Sequence, residues 1–304
     1  MKIILGLLAV PPLLGLSLWA AAAASSPLAV FNALVPVDSG VTRLAEGEAY
    51  GPDPRQRLDV YAPKAPTGAS GPLPVLVFCY GGGWYEGDRS LYDFAGRAFA
   101  AAGFLTIVFD YRLVPEVRFP DFVDDTAAAI AWASRNANRY GGDGATVYLV
   151  GHSAGAYNVA MAALDPRFLA AHGLNRSVIG GVATLAGPFD FLPLSGRAAV
   201  GAFGQWPVPA QTQPINYVSP GAPPFLLIAG NKDRTVSPRN SQRLADRLRA
   251  VGTEAKLVTL EGLGHADVLT VIARPLRWRA PVLSEITGFF RSLQAREKRS
   301  SIAS

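Results

Sequence analysis

The chain has 304 residues, half of them hydrophobic and 17% charged, which suits one large α/β domain and excludes a disordered or fibrous protein. The net charge is +5. Basic residues are scattered rather than set in a stripe with aromatics, so we expect no nucleic-acid partner. Cys79 is the single cysteine, which excludes an intrachain disulfide and a cysteine metal cluster.

An uncharged apolar segment, residues 3–24, follows Lys2. Its Leu-rich centre and the alanines before Ser25 are typical of a cleaved signal peptide over residues 1–24. About 20 apolar residues can also span a bilayer, so an uncleaved anchor that contacts the membrane through residues 3–24 is the alternative. In both cases we expect the remaining chain outside the cytoplasm, either periplasmic or secreted, or anchored to the membrane.

Residues 25–45 contain prolines and a glycine and predict a lead-in, and the domain itself is predicted over residues 46–295. There, unbroken apolar runs alternate with helical spacing, which indicates a mostly parallel central sheet with helices on both faces. The predicted strands are 56–62, whose alternation predicts an edge strand, and 74–80, 104–109, 146–150, 181–186, 225–229 and 255–260. The predicted helices are 91–102, 121–138, 157–164, 237–251 and 282–293.

Residues 187–223 interrupt this alternation with several prolines and scattered aromatics. A connection of this length between two strands is usually functional or disordered. We interpret it as a lid-like insertion or pocket wall, and a surface excursion that merely packs is the alternative. Residues 296–304 form a basic tail, which we expect to be a solvated terminus.

The pentapeptide Gly151-His152-Ser153-Ala154-Gly155 lies between a predicted strand and a helix of small residues. A sharp strand-to-helix turn leaves no room for a Cβ at either glycine and exposes the serine hydroxyl at the carboxyl edge of the sheet. Such a serine lies beside the N-terminus of the next helix. The pattern predicts that Ser153 is a nucleophile.

A serine nucleophile needs a base, and the chain has three histidines. His152 is adjacent to Ser153, and its side chain must point away from the serine. His172 follows the predicted nucleophile helix, whereas His265 lies in a glycine-rich loop after the last predicted strand. By elimination, His265 is the predicted base.

The third catalytic member must be a carboxylate that orients the imidazole. Asp233 follows the predicted strand 225–229 and gives the chain order Ser, Asp, His. Asp190, after the preceding strand, and Asp267, two residues past the histidine, are the rivals. We predict Asp233.

The run Tyr80-Gly81-Gly82-Gly83-Trp84 directly follows a predicted strand. Its glycines allow backbone N–H groups to approach a substrate carbonyl, and the N–H of Ala154 would supply a further donor. Phosphate binding is the rival interpretation of a glycine-rich loop. No Lys-Ser/Thr pair follows here, and the spacing fits neither nucleotide fingerprint.

Three segments together resemble the hormone-sensitive-lipase and BD-FAE-like branch of the α/β-hydrolases. They are Tyr80–Trp84, Asp110-Tyr111-Arg112-Leu113-Val114-Pro115-Glu116 with Phe119-Pro120, and Gly151–Gly155. The resemblance extends over residues 45–295 and implies an α/β-hydrolase fold and a carboxylesterase for short acyl or acetyl esters. It also implies oxyanion donors at Gly82, Gly83 and Ala154. One departure is Tyr80, where that branch has histidine, and a Tyr-Gly-Gly variant resembles prenylcysteine methylesterases.

Four aromatics near these motifs, Trp84, Tyr85, Phe189 and Trp206, are candidates for an apolar substrate pocket, although each also suits a core position. We expect Arg112 to pair with a neighbouring carboxylate. We expect a small-molecule ester as substrate, with no metal and no organic cofactor, and make no prediction of oligomeric state. Amide or arylformamide hydrolysis by the same triad, and a non-catalytic binding protein on this scaffold, are the alternatives.

Overall fold

The computed structural model describes residues 27–64 and 71–303, and the chain divides into two compact units, residues 1–35 and 36–304. The predicted signal peptide or anchor, residues 1–24, lies outside the described residues. The first unit contains helix α1 (Pro27–Leu34), in which no side chain is buried. Among the described residues, no helix is both long and apolar enough to cross a membrane.

The second unit is built on a sheet of eight strands, with the order β1-β2-β4-β3-β5-β6-β7-β8 among the residues described. Strand β2 runs antiparallel to β1 and β4, and the pairs from β4 to β8 are parallel. The strands are β1 (Val41–Ala49), β2 (Arg57–Pro63), β3 (Leu73–Cys79), β4 (Leu105–Phe109), β5 (Gly142–His152), β6 (Ile179–Leu185), β7 (Phe225–Gly230) and β8 (Ala255–Leu260).

Helices cover both faces of this sheet, which confirms the predicted α/β class. The helices that follow α1 are α2 (Asp93–Ala101), α3 (Asp121–Asn136), α4 (Ala154–Leu164), α5 (Pro166–Ala171), α6 (Gly196–Phe203), α7 (Arg239–Ala250), α8 (Asp267–Thr270) and α9 (Val282–Ala303). Successive residues of a strand point to opposite faces. In β3, the ring of Phe78 packs on Phe99 of α2, whereas the sulfur of Cys79 meets Asn158 of α4.

The central strands are apolar because they are covered on both sides. Every residue of β4, β6 and β7 is buried. Such strands have no polar face, which is the reason that continuous apolar runs predicted them correctly. All seven predicted strands and all five predicted helices are present, with shifts of a few residues at their ends and a longer extension of the last helix.

The predicted lead-in 25–45 is the main error, because α1 and the start of β1 lie within it. Strand β1 is at the edge of the sheet, and only Val41 among its nine residues is buried. An edge strand with so many polar side chains lacks the apolar run that identified the central strands. The prediction of an edge strand over 56–62 is wrong, because β2 lies between β1 and β4 and is buried along most of its length. In the basic tail 296–304, residues 296–299 are exposed, α9 continues to Ala303, and Arg296 pairs with Glu254 at 2.8 Å.

The insertion 187–223 is folded and packed. It contains α6 and two short 3₁₀ turns, Pro209–Thr212 and Pro214–Tyr217. Tyr157 of α4 donates a hydrogen bond to the carbonyl of Thr212 at 2.7 Å, and the ring of Phe203 is fully buried. The insertion therefore packs directly on the helix that follows Ser153; its role as a lid stays a prediction.

Candidate active site

Ser153 lies at the junction where β5 ends and α4 begins. Its backbone has φ 54° and ψ −120°, an unusual conformation for a residue with a side chain. A Cβ at Gly151 would collide with the carbonyl of Gly155, and a Cβ at Gly155 would collide with the carbonyl of Cys79. The predicted requirement for both glycines is thus confirmed, since backbone occupies the space of their missing side chains.

The structure brings the three predicted catalytic side chains together in one series of hydrogen bonds. His265 Nε2 lies 2.8 Å from Ser153 Oγ, and His265 Nδ1 lies 2.8 Å from Asp233 Oδ2. The carboxylate can only accept, so Nδ1 carries the proton and Nε2 is free to accept the serine proton. This is the tautomer in which an imidazole can act as a base toward the hydroxyl.

Asp233 is held by its own loop after β7. The backbone N–H groups of Thr235 and Val236 donate to Oδ1 at 2.8 and 2.9 Å, which leaves Oδ2 for His265. Burial alone would raise the pKa of Asp233. The hydrogen bonds from His265, Val236 and Thr235 outweigh burial and lower that pKa below its usual value, so the group stays a carboxylate.

The rival residues have other partners. Asp190 pairs with Arg243 at 2.7 Å, and His172 binds Asp124 at 2.9 Å. Asp267 accepts the backbone N–H of Gly264 at 2.8 Å, so it closes the turn that carries His265, and it also pairs with Arg279 at 3.2 Å. Within the described residues, no group of three or more His, Cys, Asp or Glu side chains is placed to hold a metal ion.

The glycine loop after β3 lies directly beside the nucleophile. A Cβ at Gly81 would come within 2.9 Å of the Ser153 Cβ. Gly82 and Gly83 have φ values of 125° and 59°, which glycine adopts without strain. Ala154 is the first residue of α4, so its N–H has no partner within the helix. The predicted oxyanion donors are therefore all within the segments that meet at Ser153.

Tyr80 anchors the start of this loop. Its ring stacks between Tyr92 and Tyr111, with centroids 5.0 Å away on each side. Its hydroxyl donates to Asp110 Oδ1 at 2.8 Å and accepts from Arg55 Nη2 at 2.9 Å. Tyr80, which replaces the histidine of the resembling branch, thus has its own stacking and hydrogen-bond partners. The loop is held without an imidazole at this position.

Trp84 anchors the other end of the loop, and its predicted place in the substrate pocket is corrected. The side chain is 5% exposed, and Nε1 donates to Asn158 Oδ1 at 3.0 Å. Phe189 is fully buried and is likewise a core residue. Tyr85 and Trp206 keep partial exposure and remain candidates for the pocket.

Two features of the site were not found from sequence. Asn158 is a lone polar residue in the otherwise apolar helix α4, and that isolation is a signal that could have identified it. The second is His152, whose Nε2 lies 3.1 Å from the carbonyl of His265. The carbonyl only accepts, so Nε2 carries the proton of a neutral ring. Burial, with a smaller effect of His265, lowers the pKa of His152 to about 3.

Comparison with known proteins gives one family and several esterases. A model of the BD-FAE family matches residues 58–248. Esterase LipC of Mycobacterium tuberculosis is 35% identical over 237 residues, which are 71% of this chain and 58% of LipC. Isoprenylcysteine alpha-carbonyl methylesterase ICME of Arabidopsis thaliana is 28% identical over 250 residues, which are 75% of this chain and 57% of ICME. The chain thus spans a little over half the length of these curated relatives.

Solved structures share the architecture. Esterase B from Lactobacillus rhamnosis, inhibited by a tributyrin phosphonate, has a TM-score of 0.79 at 23% identity, over 97% of this chain and 100% of that one. A truncated carbohydrate esterase from gut microbiota has a TM-score of 0.71 at 20% identity, over 86% of this chain and 99% of that one. At these identities the likeness establishes the α/β-hydrolase fold alone.

The anchoring of the glycine loop can be tested through Tyr80→Phe. Removal of the hydroxyl leaves buried Asp110 without one donor, so we expect a loss of about 1–2 kcal/mol in the free energy of unfolding, measured in urea. Tyr85→Phe is the matched control, because that hydroxyl makes one long bond of 3.5 Å to an exposed carbonyl. Equal stability of the two variants would contradict the anchoring role.

The buried neutral state of His152 predicts a pH dependence. The unfolded chain binds a proton at this histidine near pH 6.5, whereas the folded chain binds it only near pH 3. The wild-type protein therefore loses stability as the pH falls between these values. In His152→Gln, which keeps an N–H donor, we expect this fall to be shallower by about 1 kcal/mol per pH unit, measured by urea unfolding from pH 7 to 4. Parallel curves for the two proteins would show that His152 titrates normally.

Proposed function

We propose that this chain, which belongs to the BD-FAE family, hydrolyses carboxylic esters through an acyl-enzyme on Ser153. The observation that supports this most is the hydrogen-bonded series Ser153–His265–Asp233, placed against the glycine loop. A serine with a base and a row of free backbone donors suits attack on a carbonyl carbon. The esterases among the relatives agree with this chemistry, although each is a longer protein.

In the proposed first half-reaction, Ser153 Oγ attacks the ester carbonyl while its proton passes to His265 Nε2. Asp233 stabilises the imidazolium that forms. The tetrahedral oxyanion accepts hydrogen bonds from the N–H groups of Gly82, Gly83 and Ala154. The imidazolium then protonates the leaving alcohol oxygen, the C–O bond breaks, and the acyl group remains on Ser153.

In the second half-reaction, water gives a proton to His265 and attacks the acyl carbon. The second oxyanion is held by the same donors. Its collapse breaks the bond to Ser153 Oγ, which takes the proton back from His265, and the carboxylic acid leaves. No part of this sequence needs a group other than the chain and water.

We also propose that the acyl group is short. Trp84 turns away from the loop and packs its ring against Phe122, Tyr157 and Phe203, with centroids 4.8–5.8 Å apart. These side chains are buried against one another. The methyl group of Ala198 in α6 lies 3.4 Å from the position that a Gly83 Cβ would take. We infer that these rings and α6 limit the room for a long acyl chain beside the glycine loop.

The residues 3–24 support a proposed site of action outside the cytoplasm, through export or membrane attachment. N-terminal sequencing of the mature protein distinguishes these two fates. A cleaved product begins near Ser25, whereas an anchored protein retains Met1.

The roles of Ser153 and His265 are tested by two alanine variants and a third that serves as a control. A fluorophosphonate probe should label the wild type and not Ser153→Ala. His265→Ala should lower kcat on the order of 10³-fold or more, because the serine then lacks its base. His172→Ala is the matched control: its ring binds Asp124 and should leave kcat unchanged. Labelling of both proteins or neither, or a large loss in His172→Ala, would contradict the assignment.

The acyl preference is tested with p-nitrophenyl esters from acetate to decanoate, with Ser153→Ala as the blank. We expect kcat/KM for acetate or butyrate to exceed that for decanoate by about tenfold or more, since a filled pocket rejects added methylenes. An arylformamide assayed alongside separates ester from amide chemistry. Faster turnover of the arylformamide than of every ester would replace the proposed substrate class while retaining the triad.

A further inference from the structure

Trp278 is the most exposed large hydrophobic side chain among the described residues, at 83%. It lies in the short 3₁₀ segment Arg274–Arg279, between α8 and α9. An indole left in water exposes a large apolar area, and such rings are characteristic of surfaces that contact another molecule or a bilayer.

The backbone around Trp278 is held firmly, so the exposure is a property of the fold. Arg277 donates from Nε to the carbonyl of Ile272 at 2.8 Å. Its two terminal nitrogens bind the carboxylate of Asp38 at 2.8 and 2.5 Å. Every side-chain nitrogen of Arg277 is thus engaged on the inner side of the segment, while the neighbouring indole projects outward.

Positive charge surrounds the indole. Arg274 is exposed and has no carboxylate partner within residues 27–64 and 71–303. Arg279 pairs with Asp267 at 3.2 Å, but both side chains are more than a third exposed, so water and salt screen the pair. An exposed tryptophan flanked by arginines matches the headgroup region of an anionic bilayer, where indoles settle at the interface and cations meet lipid phosphates.

The course of the chain favours a bilayer over a soluble partner. The second unit begins at Pro36, two residues before Asp38, and Asp38 is bound to Arg277. The chain therefore enters this unit beside the 274–279 segment. Ahead of that point the sequence carries the apolar residues 3–24, which are long enough to span a membrane.

We propose that Arg274, Trp278 and Arg279, the arginine–tryptophan surface, dock on an anionic lipid bilayer. Trp278 inserts at the headgroup level and the two arginines bind lipid phosphates. Arg277, held by Asp38, fixes the orientation of the segment and takes no part in lipid binding.

The test uses the full chain and tryptophan emission. Vesicles of phosphatidylcholine and phosphatidylglycerol with brominated acyl chains quench indoles that enter the interface. The chain has five tryptophans, so the contribution of Trp278 is the emission of the wild type minus that of Trp278→Phe. We expect about half or more of this difference to be quenched, because an interfacial indole lies close to the acyl chains. Trp206→Phe, which removes a half-buried indole, should leave the quenched component unchanged.

The role of the positive charge is tested by the same quenching measurement. Arg274→Gln should reduce the quenching at low salt and have little effect at high salt, where the surface charges are screened.

Equal quenching of the wild type and Trp278→Phe overturns the proposal, even if residues 3–24 bring both to the vesicles. Dimerisation that Trp278→Phe abolishes in sedimentation, without bromine quenching, overturns it in favour of a second copy. Hydrolysis of a soluble ester without vesicles is followed separately, so failure of the proposed catalysis does not affect this result.

Discussion

The site depends on a close approach of backbone to backbone at the carboxyl edge of the sheet. Gly155 lies against the carbonyls of Cys79 and Tyr80, and Gly81 lies against Ser153, at distances that admit no side chain. The end of β3, the end of β5 and the start of α4 are therefore in direct contact. This contact places the N–H groups of the glycine loop next to the hydroxyl of Ser153, and it requires glycine on both sides of the contact.

Such a loop would have many conformations if it were not restrained at its ends. Tyr80 holds one end through its ring stacking and its bonds to Asp110 and Arg55. Trp84 holds the other through Asn158, which lies on the nucleophile helix itself. The glycine loop with its oxyanion donors and the nucleophile Ser153 are thus both attached to helix α4. His152 extends that support to the loop of His265 through the carbonyl of that residue.

Much of this arrangement could be predicted from the sequence, because the core strands are continuous apolar runs and residues of the site follow the ends of strands. Ser153 and Asp233 each follow such a run, and His265 follows the edge strand β8, so strand order brings the three residues to one edge. Strand β1 was missed because an edge strand exposes most of its residues. The prediction that Trp84 lines the pocket was wrong because the sequence does not show whether an aromatic side chain after glycines turns toward the core or toward the substrate. Its direction depends on a left-handed backbone, φ 65°, and on a partner 74 positions away.

Tyr80 has a consequence for the range of conditions in which the glycine loop keeps its shape. An imidazole, unlike a phenol, can gain a proton and a charge in acidic solution and then exchanges hydrogen-bond acceptance for donation. Burial, with the negative charge of Asp110, raises the pKa of the Tyr80 phenol well above its usual value. The phenol therefore keeps one protonation state from acid to weakly alkaline solution. The charge of the Tyr80 side chain is thus constant over this range, and its hydroxyl stays able to donate.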